Sequence, residues 1–464
     1  MEKISRMKWR PTSESFSRLP LRDDNAAWAP DFIHNLGIFE TQDAETPKDD
    51  ALGLLKLASE VEHAVLVQYL YGASSISSGN AASVQAKNKL TRIAVQEMLH
   101  LLSTQNLLIA LGGPSALHLE RDVLRARSDL NPMSFDLEPI SRLTLAKYII
   151  TEMPAKIPDV TLNDRVAKLK DMVSQNGNVQ AHRVGAIYAP LMWLFQSDDD
   201  PIGPLHLSTD LGFRPGWHLK PEDFIDPAII VKHAATRDEW RATGATYVLD
   251  AIQSMDAGRQ LLTKLSSQGE GWDGNQDSHF YEFIELLDLF DAGNLTFNEL
   301  PNNPAGRVKP PFDSPTVAPI TDSYTILWSD LFDIRYTMIV LDIAYSLSLP
   351  RDNPQRGKVI ELCFDDGMVP VLGLLADKLT SLPLNDDRSK GFAAPTYGCI
   401  FQALPTDSDS LLALQRTALL REESTLTAIK SHGNFGTDQD GSELIAQFAD
   451  QGGFHDRRKL VFHA

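Results

Sequence analysis

Glu97 and His100, one helical turn apart, place a carboxylate and an imidazole on the same side of a helix. Leu90, Ile93, Ala94 and Leu101 share that side, so the pair points toward an apolar interior. A second carboxylate, Glu62, lies midway between Leu55 and Tyr69, with Ala58, Val65 and Leu66 one turn away. It too is expected to face inward. Glu60 falls on the opposite side, one turn from Lys56, and is expected to form a surface pair with it. The midpoint between Glu62 and Glu97 falls within the turn-like run Ser77-Ser78-Gly79-Asn80. A chain that folds back there as two antiparallel helices brings the carboxylates to one level. Three ionisable groups in an oily interior are costly unless they pair with one another or with a cation. Carboxylates and imidazole on facing helices are the donor set of di-iron and di-manganese bundles. The competing reading is a buried Glu held by an Arg.

The elements that must position these groups are helices. Apolar residues recur at helical spacing over 54–70, 90–111, 143–153, 181–195, 247–265, 324–347 and 358–379. Gly112-Gly113-Pro114 stops the second of these and Pro154 the third. Strand alternation is scarce, so the expected fold is all-α, a helical bundle with an additional C-terminal helical region. Residues 1–50 read as an irregular N-terminal arm and 51–300 as the metal-binding helical domain. Residues 301–320 are a linker rich in proline (Pro301, Pro304, Pro310, Pro311, Pro315, Pro319), and 321–464 a helical region packed on the first domain. Beyond Lys430 the expectation is loop with one short helix at about 443–449.

Composition removes several classes of function. The 464 residues carry 62 acidic against 43 basic side chains, a net charge of −19, which argues against nucleic acid or an anionic membrane as partner. The two cysteines, Cys363 and Cys399, cannot build a disulfide framework or a Cys-rich metal site. No apolar run approaches a bilayer span and no signal-peptide pattern opens the chain, so the expected compartment is the cytoplasm. P-loop and Gly-x-Ser-x-Gly motifs are missing from the sequence. Asp438-Gln439-Asp440-Gly441 lacks the spacing and closing Glu of a calcium loop and reads as a turn. Trp193, Phe195, Trp217 and Trp240 are read as core, with pocket lining as the alternative.

Several runs are familiar together. Glu60-Val61-Glu62-His63-Ala64, Val95-Gln96-Glu97-Met98-Leu99-His100, Asn106-Leu107-Leu108 and Gly112-Gly113-Pro114 resemble the ferritin-like domain of the violacein and rebeccamycin pathway proteins, the iminophenyl-pyruvate dimer synthase family. Ile149-Ile150-Thr151-Glu152-Met153-Pro154, Gln268-Gly269-Glu270-Gly271 with Ser278-His279-Phe280, and Ala393-Ala394-Pro395-Thr396-Tyr397 extend the likeness. The resemblance implies an iron site, of one or two ions, built from Glu62, Glu97, His100, Glu152, Glu270 and His279. Read alone, Glu270 is a solvated carboxylate in a Gly-Glu-Gly turn, His279 a surface partner of Glu282, and Glu152 a buried carboxylate capped by an Arg. One position departs from the family: where its pattern is Ile-Gly-Glu-x-Tyr, this chain has Val184-Gly185-Ala186-Ile187-Tyr188. His182, one turn earlier, is a candidate to replace the missing carboxylate.

The function that follows from the resemblance is a non-haem iron oxidoreductase of natural-product biosynthesis, with Glu97 and Glu62 at the chemical centre. It would oxidise or couple a small amino-acid-derived molecule using O2 or peroxide, with no nucleic acid or membrane partner and self-association left open. Two alternatives stand beside it. One is an enzyme of the same fold without a redox metal that performs an acid–base cyclisation or rearrangement. The other is a non-catalytic helical scaffold.

Overall fold

A computed structural model describes residues 7–10, 38–41, 44–121, 135–154, 157–175, 185–196, 213–242, 248–310, 316–368, 370–387 and 391–463. Helices dominate the described residues. Strands are confined to two short pairs: β1 (Met7–Arg10) runs antiparallel to β2 (Ile38–Thr41), and β3 (Pro304–Ala305) runs parallel to β4 (Ala318–Pro319). The reading of 1–50 as irregular is therefore corrected in part. β1 and β2 pair there, and the first helix, α1 (Pro47–Ser75), begins inside that span. Thr46 caps it by accepting from the Asp49 N–H, with Pro47 at its first position.

The turn at Ser77–Asn80 folds α1 back onto α2 (Ala81–Gly112), whose N-cap is Asn80. These two helices form the spine of the molecule, and both are buried on nearly every side. One side of the spine packs against α3 (Arg142–Thr151), α5 (Gly185–Leu194), α7 (Met255–Glu270) and α8 (His279–Asp291). α4 (Asn163–Gln175) buries only Val166, Leu169 and Val173, and α6 (Pro227–His233) only Ile230. α7 starts later than the apolar pattern implies, because Ser254 accepts from the Ala257 N–H and caps it there.

The other side of the spine is covered by the C-terminal helices: α9 (Ser323–Ser348), α10 (Pro354–Cys363), α11 (Pro370–Thr380) and α12 (Ser408–Ser431). Val67, Tyr71, Met98, Leu102 and Ile109 of the spine belong to this second core. The single helix expected over 358–379 is two helices, since Phe364–Met368 widens into a π-type turn ahead of Pro370, which brings no N–H to the ladder. The tail carries two helices rather than one, α13 (Gln439–Ala449) and α14 (Phe454–Phe462). Asp438 is the N-cap of α13 and also accepts from Lys378 and the Tyr324 hydroxyl, at 2.6 and 2.8 Å.

This double cover overturns the expectation for Glu60. With both sides of α1 buried there is no solvent face for it. Glu60 is fully buried and meets His118 Nε2 at 2.7 Å.

Candidate metal centre

Glu62 and Tyr69 lie on the side of α1 that faces α3, α5 and α7, and Glu97 and His100 lie on the matching side of α2. All four are essentially buried. α3 ends at Pro154's approach, and its C-cap residue, Glu152, turns its carboxylate into the same space. α7 delivers Gln268 and Glu270, its last residue, before Gly271 turns the chain at φ 64°, a conformation that glycine adopts without a Cβ penalty. α8 opens with His279, which is fully buried.

Glu97 is the centre of the arrangement. Its Oε2 is 2.9 Å from His100 Nδ1, and its Oε1 is 2.7 Å from His279 Nδ1. Glu62 Oε2 lies 3.5 Å from the same His100 nitrogen, and Glu152 Oε2 lies 3.9 Å from His279 Nδ1. Two triads result, Glu62–Glu97–His100 and Glu97–Glu152–His279, each with donor atoms within 4.8 Å of one another. The two imidazoles stack with centroids 5.5 Å apart. Val65, Leu265 and Gly269 wall a cavity of about 10 Å³ among the acidic groups, which also exposes Glu270. Room for one water-sized molecule is all it offers.

The outer hydrogen bonds fix how these ligands present themselves. His100 Nε2 is 2.9 Å from Gln268 Oε1, and His279 Nε2 is 3.2 Å from Gln96 Oε1. An amide oxygen only accepts, so both Nε2 atoms donate, and both Nδ1 atoms face carboxylate oxygens. Lone pair against lone pair is repulsive unless a proton or a cation lies between. His279 Nδ1 and Glu97 Oε1 are buried and make no hydrogen bond among the described residues, although they are close. Tyr69 donates to Glu152 at 2.6 Å and Tyr188 donates to Glu62, so the far oxygens of both carboxylates are held. Imidazoles oriented through their second nitrogen and carboxylates held through their second oxygen are the usual supports of a metal site. The residues present fit iron, a cation that accepts both oxygen and imidazole donors.

The protonation pattern agrees. Burial, reinforced by the Glu97 charge, pushes the Glu62 carboxyl up to about 8. Burial and Glu97 likewise raise Glu152 well above the ordinary carboxylate range. For Glu97 burial acts in the same direction, but His279 and His100 outweigh it and hold the group low. His100 is raised despite burial, because Glu97 and Glu62 surround it. Without a cation the cluster therefore stores protons that a cation would displace.

Five of the six residues assigned by resemblance converge in the two triads, and Glu270 lines the same cavity. The reading of Glu270 as a solvated loop carboxylate fails, since it is buried and still helical. His279 is no surface partner of Glu282, which pairs with Arg92 instead. The partner of Glu152 is a tyrosine rather than an arginine. His182 lies outside the described residues, as does the side chain of Ala186. Trp193, Trp240 and Phe195 are core residues. The C-terminal region covers the opposite side of the spine, and no described residue beyond 320 lines this cavity.

Gln96, Gln268, Tyr69 and Tyr188 were missed. Tyr69 is two helical turns from Glu62 and Tyr188 closes the Val-Gly-Ala-Ile-Tyr run, so spacing carried a signal for both. The loss of one oriented amide tests the arrangement: Gln268→Leu is expected to weaken iron binding about 10–100-fold, measured by competition with a chromophoric chelator, with the helical circular dichroism retained.

A family model for ferritin-like proteins matches residues 55–288, and the chain belongs to that ferritin-like family. It is also similar to dichlorochromopyrrolate synthase of Lentzea aerocolonigenes, a biosynthetic enzyme, with 21% identity over 379 residues. That alignment covers 72% of this chain but 35% of the relative, so the chain spans about a third of its length. No solved structure matches the chain significantly. Among the described residues, no helix is long and apolar enough to cross a membrane.

Proposed function

We propose that the protein is a non-haem iron oxidoreductase of natural-product biosynthesis that acts on a small amino-acid-derived molecule with O2 or peroxide. The observation that carries this reading is the pair of imidazoles whose Nδ1 atoms converge on opposite oxygens of Glu97. Glu62, Glu97 and His100 would hold one ion and Glu97, Glu152 and His279 a second, with Glu270 beside them. Iron so held supplies one-electron redox chemistry toward dioxygen or peroxide.

The chain's own residues set the conditions for that chemistry. Gln96 and Gln268 keep both imidazoles turned inward, while Tyr69 and Tyr188 fix the carboxylates they touch. Val65, Leu265 and the surrounding core exclude bulk water. The cavity leaves an organic substrate no room beside the carboxylates. The synthase activity in the relative's name supports a role in building a small organic product.

A second reading, acid–base catalysis without a redox metal, is favoured by the opposed shifts of Glu62 and Glu97. One carboxyl is held protonated and its neighbour ionised, the pattern of an acid beside a base. An oxygen electrode separates the two. Iron-loaded protein is expected to consume oxygen when given imines of aromatic amino acids, and chelated protein is not. Substrate turnover that proceeds equally in chelated protein under anaerobic conditions would leave only the acid–base reading.

A further inference from the structure

Across the spine from the metal centre, a cavity of about 320 Å³ opens between α1 and α2 on one wall and α9 and α11 on the other. Its volume lies within the range of pockets that hold small organic ligands, roughly 300–1,000 Å³. Leu66, Met98, Ile339 and Leu372 give it an apolar lining. The two cavities share no lining residue.

One polar pair stands at its inner end. His63 Nδ1 lies 3.0 Å from the Leu119 carbonyl oxygen and so carries the proton and donates. That leaves Nε2 to accept from the Tyr336 hydroxyl, 2.6 Å away. With its proton directed at His63, the hydroxyl of Tyr336, which lines this cavity and a smaller one beside it, keeps acceptor lone pairs. At the mouth, Lys87 is paired with Asp377 at 3.4 Å, so neither sign of charge prevails there. Gly373 of α11 lines the cavity at an exposed position, and a Cβ built on it would meet no atom within 4 Å.

We propose that this cavity is a second small-molecule site, for an uncharged, ring-bearing molecule whose hydroxyl or N–H group donates to the Tyr336 oxygen. The apolar walls take the ring, the neutral mouth disfavours a formal charge, and the histidine-oriented tyrosine reads the donor. The site is separate from the proposed iron chemistry and does not depend on it.

Isothermal titration of the full chain with naphthol, in iron-loaded and chelated forms, tests the assignment. One saturable site of equal affinity in both forms is expected. Gly373→Phe, which adds a ring at the exposed rim, should weaken naphthol binding at least about tenfold while iron content stays unchanged. Thr91→Trp, which intrudes from α2, should do the same and guards against misfolding of the first variant. Methoxynaphthalene, which lacks the donor, should bind about tenfold more weakly, and Tyr336→Phe should erase that difference. Naphthol that finds no saturable site, or that binds both bulkier variants as well as the parent, overturns the proposal. Equal affinity for the two naphthalenes overturns the role of Tyr336, and loss of binding on chelation overturns the independence of the site.

Discussion

Replacing Glu97 with glutamine is expected to abolish iron binding at both positions, whereas loss of any other carboxylate in the cluster leaves part of it. Glu97 is the one residue common to the two triads, with one oxygen beside each imidazole. An amide keeps the shape but removes the charge that offsets two cations, and its NH2 end turns donor protons toward a ligand position. Elemental analysis should give less than about a tenth of the parent's iron. The parent also carries a pH signature. Glu62 titrates at about 8 without metal and must ionise to bind it, so protons leave as iron enters. Below that pH, each unit of acidification should weaken the affinity by about tenfold per proton released. A parent affinity that is flat across this range, or a glutamine variant that keeps both ions, contradicts the role given to Glu97.

Asp342→Ala is expected to destabilise the C-terminal half by about 3–5 kcal/mol while leaving the carboxylate–histidine cluster intact. Asp342 and Arg458 are both fully buried and pair through both carboxylate oxygens, with Gln415 donating to Asp342 Oδ1 at 2.6 Å. Beside them, Glu422 bridges Arg335 and His455. Removing the aspartate strands a guanidinium in an apolar core, and that desolvated charge accounts for most of the loss. The exposed Lys459–Glu423 pair supplies the control: Glu423→Ala should change stability by less than about 1 kcal/mol. Urea unfolding followed by circular dichroism reads both. Similar midpoints for Asp342→Ala and Glu423→Ala would show that the buried pair contributes nothing special.

The inward set of the spine was legible because helical spacing is strict. Glu62, Glu97 and His100 recur with the apolar residues of their own faces, and the Ser77–Asn80 turn fixes the register between them. Glu60 was misread for the converse reason. Spacing gives the angle between two side chains but not which faces of a helix find water, and the C-terminal helices leave α1 none. α12 was missed because its buried face includes Gln415 and Glu422, which interrupt the apolar stripe that periodicity detects. Their partners, Asp342, Arg335 and His455, are far away in the chain and meet them only after folding. Among other acidic residues of that region, Asp333 accepts from Thr396 and the Gly398 N–H, Asp330 pairs with Arg307, and Glu361 is exposed. Gln96 and Gln268 went unnoticed because an amide beside a carboxylate has no periodic signature. Their role depends on which ring nitrogen each reaches.

Low-temperature Mössbauer spectroscopy of protein loaded with isotopically enriched iron is the most direct measurement. Glu97 shared between the triads predicts about two ions per chain, magnetically coupled through one carboxylate. Uncoupled iron bound loosely and in equal amount by Glu97→Gln, or a chain that takes up none, would contradict it.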